Sequence, residues 1–343
     1  MVLERRLTEL GALVDEWSRQ ELASALSVQA VRLGGMLEYH LGWRDEHLEL
    51  LPVPAPAGKK LRPALTLLVC EGVSGRVEPA RAAAVAIELV HNFSLVHDDI
   101  QDRSALRRHR PAVWARWGLE QGINIGDALF ALAQLALLRQ PADVAARMLV
   151  ELNATCVRLV EGQFLDIELQ RGTIEATPQT YRAMVARKTG ALFASACRLG
   201  AIAGEAPPEV TDAYGDFGLE LGFAFQEQDD LLGVWGHTEK TGKPRAADVV
   251  ERKRGLPAMV ALSRADAPGW LRDAYASTNG SMPRKLVERV IAHFDGLNLR
   301  AELTGQVEQH ARRALAALEA AAPHEPARSY LAELTSLVVS RSA

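Results

Sequence analysis

The chain has 343 residues, 48% hydrophobic and 24% charged, so it can bury a large core in one or two domains. Its formal net charge of -4 gives no general attraction to nucleic acid or to an anionic membrane. Its first residues lack the apolar segment of a signal peptide, and no apolar run approaches the ~18 residues of a membrane span. We therefore expect a soluble, cytoplasmic protein.

Composition and periodicity predict an all-α protein. Ala, Leu, Glu and Arg dominate long segments, while alternation of β-branched residues is hardly seen. Gly- and Pro-containing breaks separate about ten helices. No break is long or polar enough to resemble a flexible linker, which favours a single domain over residues 1–343. The breaks fall at 52–58, 139–143, 171–179, 204–210, 236–257, 266–269, 278–283 and 322–326.

Three cysteines, Cys70, Cys156 and Cys197, are scattered among apolar neighbours. Buried thiols explain this placement better than disulfides or a metal cluster do.

A basic loop precedes the helix predicted after residue 60. It carries Lys59, Lys60 and Arg62, with Pro63 acceptable in the first helical turn. The start of a helix also offers unpaired N–H groups and a positive dipole end to an anion. These features suit a phosphorylated substrate, although a basic cluster is more often solvated surface.

Residues 82–102 contain no Gly or Pro and are predicted to form one helix that ends in an acidic motif. Asp98 and Asp102 are then i and i+4, and Asp99 and Asp102 are i and i+3, so the carboxylates share one face. Their repulsion calls for a cation, and magnesium prefers one or two carboxylates plus substrate phosphates. The alternative is a solvated acidic helix end.

A second acidic pair, Asp229 and Asp230, also ends a largely apolar stretch, and Gln226 shares its helix face. Two acidic helix ends can face each other across one cavity, which favours metal binding for both. Arg107, Arg108 and Arg110 follow the first acidic motif closely enough to reach the same pocket.

Over residues 55–260 these motifs resemble the trans-isoprenyl diphosphate synthase (polyprenyl synthetase) family. Residues 58–63 are similar to its GKxxRP element, and residues 91–102, followed by Arg107 and Arg108, to its first aspartate-rich motif. The other similar elements follow in the family's order: Gly126-Asp127, Gly162-Gln163 with Asp166, Lys188-Thr189-Gly190, Phe225-Gln226 with Asp229-Asp230, Gly242-Lys243 and Lys253.

The resemblance implies an all-α bundle around a deep central cavity, with residues 265–343 as covering helices and a homodimer as the assembly. It implies a head-to-tail condensation of isopentenyl diphosphate with an allylic diphosphate. The allylic diphosphate ionises, isopentenyl diphosphate attacks the carbocation, and a proton is lost to the departed diphosphate.

The resemblance also assigns residues to these steps. Magnesium ions, about three per site, would be held by Asp98, Asp102 and Asp229 and would neutralise the leaving diphosphate. Asp99, Asp230 and Lys188 complete the implied catalytic set. The allylic diphosphate would be bound by Arg107, Lys188, Lys243 and Lys253, with Thr189 and Gln226 as hydrogen-bond donors. Isopentenyl diphosphate would be bound by Lys59, Arg62, His91 and Arg108.

Product length should depend on the apolar helix face below Asp98. Phe93 resembles the family's aromatic residue five positions before the first aspartate, and Ser94 leaves room beside it. The expected product is farnesyl or geranylgeranyl diphosphate, with the longer one favoured. Ordinary core packing is the alternative role for Phe93.

Four residues depart from the family's pattern. Gly233 stands where many members have a third aspartate, which predicts retained activity with weaker magnesium affinity. His109 and Ala246 replace usual glycines, and Ala112 a usual threonine, which bears on loop conformation.

Three other functions fit parts of the pattern. A class I terpene cyclase and a head-to-head squalene or phytoene synthase would lack the basic loop with Lys59 and Arg62. A catalytically silent subunit of a heteromeric synthase would usually have lost one or both acidic motifs.

Overall fold

The computed structural model describes residues 2–55, 58, 60–236, 246–276 and 280–340. Two predicted substrate-binding residues, Lys59 and Lys243, lie outside the described residues. Helices make up most of the described chain, which confirms the all-α prediction. Across these ranges, extended structure amounts to one short hairpin and one isolated bridge between Arg44 and Leu50.

The elements follow one another in a simple order. They are α1 (Val2–Ala25), α2 (Val31–His40), α3 (Leu61–Ser74), a 3₁₀ turn (Glu78–Ala80), α4 (Arg81–Gln101), β1 (Leu106–Arg107), β2 (Arg110–Pro111), α5 (Val113–Trp117), α6 (Leu119–Leu137), α7 (Ala142–Arg171), α8 (Pro178–Val185), a π-helical turn (Ala186–Gly190), α9 (Ala191–Ala203), α10 (Pro208–Trp235), α11 (Ala247–Val250), α12 (Leu256–Ser263), α13 (Gly269–Ala276), α14 (Arg284–Gly296), α15 (Leu299–Ala321) and α16 (Ala327–Val339).

Two compact units can be distinguished, and each is described by itself. Unit 1 comprises Met1–Asn153, Ala196–Thr211 and Pro323–Tyr330, and unit 2 comprises Ala154–Ser195, Asp212–Ala322 and Leu331–Ala343. The single domain expected from the sequence stays a prediction.

Helix α4 is the centre of unit 1 and packs on α1, α3 and α6. Its first half is rich in alanine, a strong helix former whose small side chain lets neighbouring helices approach. It spans Arg81–Gln101 with Asp102 as its C-cap, which confirms the single helix predicted over 82–102.

Gly126 of α6 leaves room for a side chain of α4. A Cβ atom on Gly126 would lie 2.1 Å from Nε2 of His97, the residue before Asp98. A larger residue at position 126 would therefore displace the His97 ring.

The turn of the hairpin after α4 has the left-handed backbone conformation that usually favours glycine, although it contains no glycine. Arg108 and His109 join the two strands with φ values of 53° and 63°, and turns with two positive φ values match the twist of a hairpin. Ala246 likewise has a φ of 57°. His109 and Ala246 thus keep the left-handed backbone that glycine adopts freely, and Ala112 is an extended, buried residue before α5.

In unit 2, α12 packs on α8 and α15, and α14 packs on α15 and α11. The π-helical turn between α8 and α9 carries Lys188 and Thr189. Such turns are frequent at functional sites because they redirect side chains within a helix.

Over the described residues, each predicted break lies between two helices or overlaps a helix end by one to three residues, except that 236–257 also contains α11 and the start of α12. The break between α1 and α2 carries neither Gly nor Pro, which is why the sequence does not reveal it.

The three cysteines are buried free thiols, as predicted. Among the described residues, no helix is long and apolar enough to cross a membrane.

Candidate active site

The first acidic motif forms the last turn of α4. Asp98 is half-buried and Asp102 is exposed. The backbone N–H of Asp102 donates to the carbonyl oxygen of Asp98 at 2.8 Å, which confirms the i and i+4 spacing. Both side chains therefore leave the same helix face.

Asp99 differs from its neighbours because it is buried and paired with Arg107. Its Oδ1 accepts hydrogen bonds from Arg107 Nε at 2.9 Å and from Nη2 at 2.5 Å. Burial raises the pKa of Asp99, and the Arg107 guanidinium opposes that shift. This geometry favours a role for Asp99 in positioning Arg107 over direct contact with a metal.

Arg62, His91 and Arg108 form a half-buried basic cluster in unit 1. Arg62 Nη1 lies 3.5 Å from His91 Nε2. Burial, together with Arg62 and Arg108, holds the pKa of His91 well below its usual value. Burial also lowers the pKa of Arg62 to about 10 and lowers that of Arg108. Glu88 offsets part of the shift for both arginines. A bound anion would favour the charged forms further.

The loop before α3 reaches the same cluster. Gly58 has a φ of 87°, and a Cβ atom on it would lie 3.6 Å from Arg108 Nη2. Lys60, by contrast, is bound within the protein, since its Nζ lies 2.5 Å from Asp15 Oδ1 and 3.8 Å from Glu88 Oε1.

His40 lies next to the predicted basic residues, a placement that the sequence did not reveal. With Arg107, Arg108 and Arg110 it lines a cavity of about 20 Å³. Burial, Arg108 and Arg107 lower the pKa of His40 to about 3. Arg110 does reach this cavity, but it donates to the carbonyl of Tyr39 at 3.1 Å and its guanidinium lies 4.0 Å above the Tyr39 ring. It therefore fastens the hairpin to the end of α2.

The helix face below Asp98 is apolar, and its role in product length stays a prediction. Ile87 and Val90 are fully buried. Phe93 is half-buried, with its ring centroid 5.4 Å from that of Phe130. The Ser94 hydroxyl donates to the carbonyl of His91 at 2.8 Å, so it turns back on its own helix.

The second acidic motif lies near the end of α10. Asp229 is half-buried, whereas Asp230 is almost fully buried. Asp230 Oδ2 accepts from the Tyr181 hydroxyl at 2.7 Å and from the Leu256 N–H at 2.8 Å, and Oδ1 accepts from Gln226 Nε2 at 3.0 Å. The last bond confirms that Gln226 shares a face with the motif. Asp230 thus joins α8, α10 and α12, while Asp229 is the more accessible carboxylate.

The remaining predicted ligands of unit 2 already have protein partners. Lys188 Nζ lies 2.5 Å from Asp166 Oδ2, and the Thr189 hydroxyl donates to Gln226 Oε1 at 2.8 Å. Lys253 Nζ lies 3.6 Å from Asp230 Oδ1. Burial alone would lower the pKa of Lys253, but nearby carboxylates outweigh burial and the net shift is upward.

The carboxylates present suit magnesium that is shared with a substrate. In the described part of the chain, no group of three or more His, Cys, Asp or Glu side chains is arranged to hold a metal by itself. Magnesium commonly takes one or two carboxylates and completes its shell with waters and substrate phosphates. Asp98 with Asp102, and separately Asp229, offer hard oxygen ligands of this kind.

Two acidic helix ends, each with half-buried basic residues in its own unit, in an all-α fold are typical of enzymes that act on phosphorylated substrates with a divalent metal. The model of the family described as "Polyprenyl synthetase" matches residues 50–292. The chain belongs to the polyprenyl synthetase family.

Named relatives agree with this membership. A (2E,6E)-farnesyl diphosphate synthase of Mycobacterium tuberculosis is 39% identical over 251 residues, which cover 72% of this chain and 69% of the relative. A geranylgeranyl diphosphate synthase of the same organism is 39% identical over 290 residues, covering 83% and 82%. The crystal structure of a polyprenyl synthetase from Streptomyces coelicolor superposes with a TM-score of 0.88 at 32% identity and covers 97% of this chain and 98% of that one.

Proposed function

We propose that this protein is a magnesium-dependent prenyltransferase that makes geranylgeranyl or farnesyl diphosphate. It condenses isopentenyl diphosphate head-to-tail with an allylic diphosphate and releases diphosphate. Family membership and relatives named as farnesyl and geranylgeranyl diphosphate synthases support prenyl chain elongation. The observation that carries the site is the half-buried cluster in unit 1 in which Arg62 Nη1 lies 3.5 Å from His91 Nε2 and Arg108 is near enough to lower the pKa of His91; such a set of donors suits the oxygens of a diphosphate.

Magnesium is the proposed cofactor. Two solved members of similar fold are described as complexes with calcium or with magnesium, in each case together with isoprenyl diphosphate. Asp98, Asp102 and Asp229 would hold the metal. When bound, magnesium neutralises the charge that develops on a leaving diphosphate.

The protein's own residues would bind and orient the two substrates. Arg62, His91 and Arg108, with Lys59, would hold isopentenyl diphosphate, and the arginine fork suits phosphate oxygens. Arg107, Lys188 and Lys253, with Lys243, would bind the allylic diphosphate. Asp99, Asp166 and Asp230 keep Arg107, Lys188 and Lys253 in place. Thr189 and Gln226 would add hydrogen bonds after exchanging their present partners.

We also propose that the protein is a homodimer. Val157, Val160 and Phe164 lie on one face of α7, spaced i, i+3 and i+7, and are 61%, 63% and 61% exposed. Large apolar side chains exposed together mark interaction surfaces, and a second copy of this chain would cover them. Light scattering of a Phe164→Glu variant tests this: the dimer should dissociate. The cytoplasmic location stays a prediction.

The test of function is product analysis. The purified protein is incubated with isopentenyl diphosphate and, in turn, dimethylallyl, geranyl and farnesyl diphosphates, with magnesium. Linear prenyl diphosphates are expected. Cyclised hydrocarbon would indicate a terpene cyclase, head-to-head products a squalene- or phytoene-type synthase, and no turnover a silent subunit.

A further inference from the structure

Lys60, the residue before α3, has a charged side chain that is only 8% exposed. Its Nζ lies 2.5 Å from Asp15 Oδ1 on α1 and 3.8 Å from Glu88 Oε1 on α4. Charged side chains are rarely buried unless they are paired. The side chain of Lys60 therefore ties the start of α3 to two other helices of unit 1.

The backbone of Lys60 adopts a conformation that an L residue seldom takes. Lys60 is the N-cap of α3, and its φ of 45° and ψ of 40° lie in the left-handed region. Residues in this region cost free energy and persist where the surrounding contacts determine their conformation. The carbonyl oxygen of Lys60 also accepts from the N–H of Ala64 at 3.0 Å. The ion pairs of its side chain thus hold the residue at which the hydrogen bonding of α3 begins.

Asp15 is fixed in the orientation that pairs with Lys60. A Cβ atom on Gly11, one turn before Asp15 on α1, would lie 3.7 Å from Lys60 Cδ, so the lysine side chain crosses α1 at Gly11. Asp15 Oδ1 also accepts a hydrogen bond from the indole Nε1 of Trp43 at 2.9 Å, and Trp43 is buried. One carboxylate oxygen therefore serves both a buried tryptophan and Lys60.

Arg62 lies two residues after Lys60, in the first turn of α3. Glu88, the second partner of Lys60, raises the pKa of Arg62 against the effect of burial. Glu88 is itself buried, and its Oε1 accepts from Asn92 Nδ2 at 2.9 Å. A shift of the start of α3 would therefore move Arg62 relative to both Glu88 and His91 of α4.

We propose that Asp15 is a positioning residue for isopentenyl diphosphate: through Lys60 it fixes the first turn of α3, and with it the guanidinium of Arg62. This role rests on the proposed function, which places Arg62 at that substrate. Asp15 acts through Lys60 and is not itself a substrate ligand. The N-terminal helix α1 thereby takes part in substrate binding.

Two readouts on the full chain test the proposal. One is the pair of Michaelis constants for isopentenyl diphosphate and the allylic diphosphate, and the other is the rise in unfolding temperature on adding isopentenyl diphosphate. Asp15→Asn removes the charge and keeps an acceptor for Trp43. Because the Asp15 side chain is 26% exposed, the variant should still fold.

The expected result is a split between the two substrates. Asp15→Asn and Lys60→Met should each raise the Michaelis constant for isopentenyl diphosphate on the order of tenfold and reduce its thermal protection. The constant for the allylic diphosphate should change by less than about twofold, because its proposed ligand Arg107 is held by Asp99 instead. Lys60→Arg, which keeps the cation, should remain within about threefold of the wild type. The double variant of Asp15→Asn and Lys60→Met should be no worse than the more impaired single variant, since both changes break the same link.

Glu71→Gln is the matched control. Arg6 Nη2 lies 2.6 Å from Glu71 Oε1, so this ion pair also joins α1 to α3, but near the end of α3 that is remote from Arg62. Removing one partner of a partly buried pair should lower the unfolding temperature. Both Michaelis constants should stay at the wild-type values, which separates positioning of Arg62 from general packing of α1 on α3.

Three results would overturn the proposal: an unchanged constant for isopentenyl diphosphate in folded Asp15→Asn, an equal rise in Glu71→Gln, or additive effects in the double variant. If Arg62→Lys raises that constant while Asp15→Asn does not, this inference falls and the proposed function stands. If the wild type neither gains thermal protection from isopentenyl diphosphate nor incorporates it, the proposed function fails, and this inference with it.

Discussion

The Tyr181 hydroxyl donates a hydrogen bond to Asp230 Oδ2 at 2.7 Å, across 49 residues of sequence. Tyr181 lies in α8, directly before the π-helical turn that carries Lys188 and Thr189. Asp230 lies beside Asp229 in the second motif. This one bond therefore ties the position of a proposed diphosphate ligand to that of a proposed metal ligand within unit 2.

Removing that hydroxyl should destabilise the protein. Tyr181→Phe leaves a buried carboxylate with one donor fewer, which should cost about 2 kcal/mol in the free energy of unfolding. Urea titration measures the change. Tyr330→Phe, at a half-buried tyrosine of unit 1, is the control and should change stability by less than about 0.5 kcal/mol. Equal losses in both variants would contradict this account of Asp230.

His310 predicts a loss of stability at alkaline pH. Its Nδ1 lies 2.6 Å from Glu220 Oε2 and its Nε2 3.5 Å from Glu227 Oε1. Burial lowers the pKa of His310, but the two glutamates outweigh burial and raise it to about 9. A histidine whose pKa is raised by folding stabilises the folded state fully at pH values below its unfolded-state pKa of about 6.5. This stabilisation is lost as the pH rises through the folded-state pKa of about 9.

Denaturant unfolding at pH 6 and pH 10 measures this effect. The wild type should lose up to about 3 kcal/mol between the two values through His310. His310→Gln should be less stable at pH 6 and show a correspondingly smaller difference. An identical pH dependence in the two proteins would rule out the ion pairs as its source.

Phe93 should limit product length. Phe93→Ala removes the ring that packs against Phe130 and opens the apolar face below Asp98, so longer prenyl products are expected. Phe93→Leu should give an intermediate distribution because it retains part of the volume. Chromatography of the dephosphorylated products measures chain length, and an unchanged product ladder in Phe93→Ala would leave Phe93 as ordinary core.

Gly162 should be necessary for the position of Lys188. A Cβ atom on Gly162 would lie 2.3 Å from the backbone nitrogen of Lys188 and 2.7 Å from its Cα. Gly162→Ala should therefore displace the π-helical turn, lower stability by about 1–3 kcal/mol and weaken allylic substrate binding. Gly269→Ala, where a Cβ meets nothing within 4 Å, is the control. Similar Michaelis constants for the two variants would argue against a positioning role.

Local patterns predicted the elements that carry the site. Unbroken helical periodicity located α4 and placed Asp98 and Asp102 on one face, and the same spacing paired Gln226 with Asp230. Motif order then led to the family. These are short-range relationships, and the helix geometry alone determines them.

Long-range contacts supplied what the sequence does not show. Nothing near Asp99 or Asp230 marks them as buried and held by Arg107 and Tyr181, while their neighbours stay accessible. His40 has no motif around it. The glycine at 233 is visible in the sequence, but the Asp248 carboxylate that lies against it comes from a different helix, and such a contact depends on tertiary packing.

The most direct test of the central claim measures isopentenyl diphosphate incorporation and diphosphate release together, with and without magnesium, in the wild type and in Asp98→Asn. Asp143→Asn, at an exposed residue in the first turn of α7, is the control. We predict one diphosphate released per unit incorporated, strict dependence on a divalent metal, and a loss on the order of a hundredfold or more in Asp98→Asn. Diphosphate release without incorporation, or full activity in Asp98→Asn, would contradict the account.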